Sequence, residues 1–179
     1  KLNTAVAMGV AIAATFMAVA NVKGGNVDQA MAKTQVEIVD TWSYYQAKST
    51  KQSLAEASIG QLTLERARVP DEQKDAIDKG LAGYRAKFEK YEKDKNDLTQ
   101  KVEKLQKEYD RLNVKDDQFD MSEALLSVGI ALLGITALTQ KKWMLIVAGV
   151  FAAFGFAVGL AGFVGWSFRP AWLADLLGA

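Results

Sequence analysis

The sequence predicts an all-α membrane protein with three transmembrane helices and a long antiparallel extramembrane helical hairpin of the coiled-coil type. Two uncharged ends flank a charged middle: residues 4–22 carry no charge, and residues 124–168 carry only Lys141 and Lys142. Residues 23–120 hold 18 basic and 19 acidic side chains. Such segregation is typical of membrane proteins. Heptad spacing of apolar residues in the second half of this middle predicts the coiled coil.

The composition narrows the possible chemistry. The 179 residues include no cysteine and no histidine. This excludes disulfides, thiolate and imidazole metal ligands, and the side chain most often used as an acid–base catalyst. The charged middle has no basic excess, which argues against nucleic-acid binding. No spacing unites a nucleophile, a base and oxyanion donors, so we expect no enzyme activity, catalytic residue, metal site or cofactor.

Residues 1–23 form the first predicted membrane helix. Thr4 to Val22 is an uncharged run of 19 residues, long enough to cross a hydrocarbon core of about 30 Å. The alternative is a secretory signal, since Ala18-Val19-Ala20 resembles a cleavage site. The segment lacks the initiator Met and the charged N-terminal region of a signal peptide, which favours a membrane anchor. We also expect the native chain to extend upstream of Lys1.

Residues 24–120 form the predicted hairpin, with helices at about 27–66 and 70–113. Gly24-Gly25-Asn26 predicts a break after the first span, and the turn falls near residues 67–70. In the second helix, apolar residues form a seam with alternating steps of four and three, in which Lys95 takes the one place without an apolar residue: Ile77, Leu81, Tyr84, Phe88, Tyr91, Leu98, Val102, Leu105, Tyr109 and Leu112. The first helix has a thinner stripe, namely Met31, Ile38, Trp42, Tyr45, Ile59 and Leu62, with Gln35, Ser49 and Gln52 on the same face.

A turn near residue 68 pairs positions whose numbers sum to about 136. Tyr45 then meets Tyr91, and Trp42 lies opposite Asp94 and Lys95. The prediction is a cation–π pair of Lys95 over Trp42.

The segment TWSYYQAKSTKQ, residues 41–52, presents two faces at helical spacing. Trp42, Tyr45 and Ser49 share the face that packs on the second helix, whereas Tyr44, Lys48 and Lys51 share a free face. That free face either contacts another subunit or is solvated. A small-molecule site at this segment is the less favoured hypothesis. The predicted interaction residues are Trp42, Tyr44, Tyr45, Lys48, Lys51, Tyr91 and Lys95.

Residues 121–140 and 143–168 form the second and third predicted spans, and 169–179 an interfacial tail. Asp120 and Glu123 fit a capping box at the start of the second span. Trp143 and Trp166 suit aromatic belts at the two interfaces of the third.

Neither these spans nor the first contain a central ionisable residue, which argues against a transporter or pump. Small residues at intervals of four predict helix-packing faces, within or between subunits: Gly9, Ala13, Gly149, Ala153, Ala157, Ala161 and Gly165.

The lysines of the short 140–142 loop predict that this loop is cytoplasmic. The hairpin then lies on the outer side of the membrane, as does the C-terminus.

Residues Trp42 to Lys51 are similar to the W-x-Y-Y-Q-A-K-S-x-K signature of a bacterial membrane family, the domain of unknown function 4337. The order of parts is similar as well: a span, the signature helix, a charged coil, the stretch Gln118-Phe119-Asp120 and two further spans. The resemblance implies this architecture and a location in the bacterial inner membrane; the loop lysines then predict that the hairpin lies in the periplasm. It supplies no catalytic residues.

Three hypotheses for function follow. The first is a structural or interaction protein, held in the lipid bilayer, whose hairpin self-associates into a homo-oligomer. The second is an accessory subunit of a larger membrane complex, respiratory or other. The third is a channel, which would need a pore lined by small and hydroxyl residues such as Ser127, Thr136 and Thr139.

Overall fold

A computed structural model describes residues 2–166, and in this range the chain is helical apart from two short connections. Helix α1 is Leu2–Arg66, α2 is Asp71–Thr139 and α3 is Lys142–Val164. The all-helical class is therefore confirmed for these residues. The predicted tail at 169–179 and the last residues of the predicted third span lie outside the described range.

Helix α1 is unbroken where a break was predicted at Gly24-Gly25-Asn26. Gly24 is buried, and a Cβ built on it would lie 3.4 Å from the Phe119 Cβ. Close packing at this point favours a continuous helix and outweighs the low helix propensity of glycine, about 1 kcal/mol per residue.

Helix α2 is also continuous, so the helix end predicted near residue 113 is wrong, and the predicted span at 121–140 belongs to the same helix as the predicted coil. Asp120 lies inside the helix and is not an N-cap. Leu112, Phe119 and Met121 are all buried on either side of it. The helix is continuous here because its packed face extends without interruption from residue 112 to residue 121.

The chain divides into two compact units. Among the described residues, unit 1 takes residues 2–33 and 109–166, and unit 2 takes residues 34–108. Because α1 and α2 each pass through both units, each unit contains a segment of both helices.

Unit 1 adds α3 to these segments and packs through three apolar clusters. One centres on Met121, Leu125 and Val158, and another on Val6, Leu133 and Ala148. The third contains Ala20, Val27, Leu112 and Phe119.

Helix α3 ends at Gly165, whose φ of 79° is the left-handed conformation that glycine adopts most readily. Its N–H donates to the Ala161 carbonyl at 2.8 Å.

Unit 2 consists of α1 and α2 segments in side-chain contact. The seam residues of α2 between Ile77 and Leu105 are all at least half-buried. On α1 the buried positions are Thr34, Ile38, Thr41, Gln52 and Ala55.

This differs from the predicted α1 stripe, because Trp42 is 42% exposed and Gln35 is exposed. The other predicted stripe residues of this unit are buried or half-buried, namely Ile38, Tyr45, Ser49, Gln52, Ile59 and Leu62, and Thr34, Thr41 and Ala55 are buried as well.

All three helices are long and apolar enough to cross a membrane by length and composition. Their most apolar windows have mean hydropathies of 2.0, 1.8 and 2.4 in chain order.

Candidate interaction site

Residues 41–52 of α1, called the signature segment, contact α2 through a layer of polar and aromatic side chains inside unit 2. Gln52 lies at the centre of this layer and is only 7% exposed. Its amide nitrogen donates to the Glu92 carboxylate, and its carbonyl oxygen accepts from the Lys95 ammonium at 2.8 Å. Lys95 also lies 3.7 Å from Glu92. Both polar ends of the buried Gln52 amide are thus satisfied, as buried polar groups require, by the half-buried Lys95 and the exposed Glu92.

Lys48 forms a second connection between the helices. Its ammonium donates to the Asp94 carboxylate at 2.6 Å and lies 5.6 Å from the centroid of the Tyr91 ring. The hydrogen bond from Lys48 holds the pKa of Asp94 below its usual range. The prediction that Lys48 belongs to a free face is therefore wrong. The four-carbon stem of lysine lets it reach across the edge of the interface.

Lys95 contacts a different aromatic ring from the one predicted. Its ammonium lies 5.4 Å from the centroid of the Tyr45 ring, and Trp42 packs edge-on against Tyr45 with ring centroids 5.3 Å apart. Instead of the predicted cation–π pair of Lys95 over Trp42, Lys95 contacts Tyr45, and Tyr45 contacts Trp42.

The register of the two helices explains why Lys95 contacts Tyr45 and not Trp42. Lys48 pairs with Asp94 and Arg66 with Asp78, so the residue numbers in contact sum to 142 and 144 and not to about 136. Side chains lean toward the N-terminus of their own helix. On both helices, the residues whose side chains touch therefore have higher numbers than the residues whose Cα atoms face each other.

Two of the predicted interaction residues point away from this layer. Tyr44 is 65% exposed, and Lys51 is exposed as well. Tyr44 borders a shallow surface groove of about 410 Å³. Its other lining residues are Lys48, Asp94, Asp97, Leu98 and Lys101.

In unit 1, the predicted small-residue positions separate into packed and exposed sets. Ala13 is buried, and a Cβ on Gly9 would lie 3.2 Å from Leu133 Cδ1. On α3, Ala161 is buried but Gly149, Ala153 and Ala157 are exposed. Gly165 is exposed too, and it serves as the helix cap.

The closest helix contacts of α3 use a neighbouring row of small residues. A Cβ on Gly155 would lie 2.8 Å from Leu126 Cγ, and one on Gly159 would lie 2.5 Å from Ser122 Oγ. Ser122 is fully buried and donates to the Gly155 carbonyl at 2.8 Å. Gly155 and Gly159 are spaced four residues apart, so the sequence pattern also contains this pair. The pattern alone does not show which of the overlapping rows of small residues on α3 packs against another helix.

Acidic residues of unit 1 cluster near one another. Asp116 is half-buried, and burial raises its pKa to about 6, with further contributions from the charges of Asp28 and Asp120 and from a hydrogen bond with Asp28. Burial and the charge of Asp28 also raise the pKa of Asp120. Among residues 2–166, no group of three or more acidic side chains has a geometry that holds a metal ion.

The comparisons with known proteins identify the family. The family model described as "Domain of unknown function (DUF4337)" matches residues 2–165, and the chain belongs to this family. No curated protein and no solved structure matches it.

Proposed function

We propose that this member of the family is an integral membrane structural protein whose charged two-helix region self-associates, giving a homo-oligomeric assembly. In this proposal the three apolar spans hold the chain in the bacterial inner membrane, and residues 24–120 form an antiparallel coiled-coil hairpin on the periplasmic side. The protein has an interaction role and no catalytic one.

The observation that carries the proposal is the polar character of the interface inside unit 2. The buried large apolar residues of this unit are few: Ile38 on α1, and Leu81 and Val102 on α2. Thr34, Thr41 and Gln52 occupy other buried positions. An apolar side chain contributes about 1.5–3 kcal/mol when fully buried, whereas a neutral hydrogen bond contributes about 1 kcal/mol net.

Two helices of this length with so small an apolar core gain little stability from pairing alone, because ordering each residue costs about 1–2 kcal/mol of backbone entropy. Contacts with further copies bury additional apolar surface. The side chains that remain exposed on α1, among them Val36 at 59% and Leu54 at 63%, supply such surface.

The test is the mass of the protein extracted into lipid nanodiscs from its native membrane without overexpression. We expect two or more times the mass of a single chain, with no other polypeptide in a fixed ratio. A monomeric mass contradicts the proposal. A stable complex containing a different chain contradicts it as well, and identifies the protein as an accessory subunit.

A further inference from the structure

An uncharged stripe runs along the outer face of α1 in unit 2. It repeats at steps of three or four residues, the spacing of one helix face. Its members are Val36, Val39, Ser43, Ala47, Thr50 and Leu54, and all of them are exposed. Ala57 and Leu64 continue it toward the end of α1. This stripe, from Val36 to Leu64, is called the outer stripe below.

The outer stripe has no counterpart on α2. The large hydrophobic side chains that are exposed within unit 2 all belong to α1, and α2 exposes none among the described residues before Val128. The outer face of α2 carries lysine and glutamate at positions such as Lys90, Lys93 and Glu103. Contiguous exposed apolar surface on only one of two paired helices is typical of an interaction face. The charged face of α2 is poorly suited to cover it.

The polar members of the outer stripe are already satisfied within α1. The Ser43 hydroxyl donates to the Val39 carbonyl at 3.0 Å, and the Thr50 hydroxyl donates to the Gln46 carbonyl at 3.0 Å. Both can therefore be covered by a partner without leaving a donor unpaired, which otherwise costs about 1–3 kcal/mol. Together with Ala47 they are small, so a partner helix can approach closely at the centre of the stripe, while Val36 and Leu54 supply apolar contact on either side.

We propose that the outer stripe pairs with the same stripe of a second copy of this chain, in parallel and in register. The inference rests on the proposed function and names the surface that would carry it. Copies inserted in one bilayer with one topology are related by rotation about the membrane normal. Because α1 is one helix from Leu2 to Arg66, the α1 helices of such copies run in the same direction, and each residue near the axis meets its own counterpart.

A contact of this kind places any charge opposite a like charge. The outer stripe carries no charge over its whole length, as a parallel contact between identical helices requires. The nearest charged residues, Asp40 and Lys51, lie at its margin and are one acid and one base. A membrane-surface helix has a different pattern, with Lys and Arg flanking its apolar face.

The size of the outer stripe explains why it needs the membrane anchor. It is about 42 Å long and about 10 Å wide, on the order of 400 Å² on each copy. A free-standing interface covers about 800 Å² per partner. Confinement of both copies in one bilayer raises their effective concentration and offsets the difference.

The absence of cysteine makes a direct test possible. Ser43→Cys introduces the only thiol of the chain at the centre of the outer stripe, and a disulfide forms only when two Cα atoms come within about 7 Å. The matched control is Ala86→Cys, on the exposed face of α2. Both full-length variants are oxidised in native membranes and analysed on non-reducing gels. We expect most of the Ser43→Cys chain as a covalent dimer, at least tenfold more than for Ala86→Cys.

A charge substitution provides the second measurement. Ser43→Lys places like charges face to face and should lower the dimer fraction in nanodiscs at least fivefold, while Ala86→Lys should leave it unchanged. Equal cross-linking of the two cysteine variants, or no cross-linking of Ser43→Cys in a protein with an oligomeric mass, overturns the outer-stripe contact and leaves the proposed function standing. A monomeric mass of the unmodified protein overturns both.

Discussion

The two units of the molecule join their helices by different physical means. In unit 1, α3 meets α2 where glycines allow side chains of the neighbouring helix to touch the backbone, as at Gly155 and Leu126. In unit 2, α1 meets α2 through charged, amide and aromatic groups that reach across the interface, as in the Lys95–Gln52 hydrogen bond of 2.8 Å. Shape determines the first contact, and the pairing of functional groups determines the second.

The proposed membrane location accounts for this contrast. Between apolar helices in lipid the hydrophobic effect gives no preference for protein over solvent, so close packing must supply the attraction. In water, polar groups at a helix interface gain little net energy but select one partner and one register. We therefore expect the stability of unit 1 to depend on side-chain volume more than on salt. The stability of unit 2 should depend on salt more than on side-chain volume.

The largest expected effect is that of adding a methyl group at Gly159. Its Cβ would lie 2.5 Å from Ser122 Oγ and 2.7 Å from Phe16 Cε1, so Gly159→Ala should lower the free energy of unfolding by about 2–3 kcal/mol through overpacking. Gly149→Ala is the matched control, since nothing lies within 4 Å of a Cβ there. Unfolding of both variants in mixed micelles is the measurement. Equal losses would show that volume does not limit the packing of α3.

The next effect concerns the buried amide of unit 2. Gln52→Leu keeps the size of the side chain but removes the partner of Glu92 and Lys95, so it should cost about 1–2 kcal/mol. Gln46→Leu, at an exposed position of the same helix, should change stability by less than about 0.5 kcal/mol. A double-mutant cycle of Gln52→Leu with Lys95→Met measures their coupling. Zero coupling would contradict the polar network described here.

Asp116 makes unit 1 sensitive to pH. Because the pKa of Asp116 is raised from 3.8 to about 6 in the folded protein, the folded state binds the proton more tightly. The stability that this proton supplies is present below about pH 4 and is lost as the pH rises through about 6. Asp116→Asn should thus raise the free energy of unfolding at pH 7 by about 1 kcal/mol, allowing for solvent screening, and change little at pH 4.

Thermal unfolding at both pH values checks this, with Asp97→Asn as the control. A gain of equal size at pH 4 and pH 7 would assign the effect to packing and not to the acidic cluster.

The sequence predicted the helices better than the contacts between them. Charge segregation and heptad spacing are properties of a single helix, and both survive in α1 and α2. Register depends on the direction in which side chains lean, which explains why Lys95 lies over Tyr45 and not over Trp42. The predicted face of α1 correctly contains Ile38 and Gln52, but it also contains Trp42, which is 42% exposed, and it omits Thr41, which is buried. The spacing of α1 alone does not reveal which of the neighbours Thr41 and Trp42 is buried.

The smallest predicted effect separates the two lysines of the signature segment. Lys48 bridges to Asp94 with both side chains about 30% exposed, and Lys51 makes no ion pair among the described residues. Lys48→Met should lower the free energy of unfolding by about 0.5 kcal/mol, since partly exposed ion pairs contribute little, and Lys51→Met should leave it unchanged.

The difference between the two lysine variants should shrink in 1 M salt, because screening shortens the range of the Lys48–Asp94 attraction to about 3 Å. Salt-independent values would mean that the lysine stem, packed over the Tyr91 ring, contributes more than the charge. In that case unit 2, like unit 1, would be joined mainly by shape.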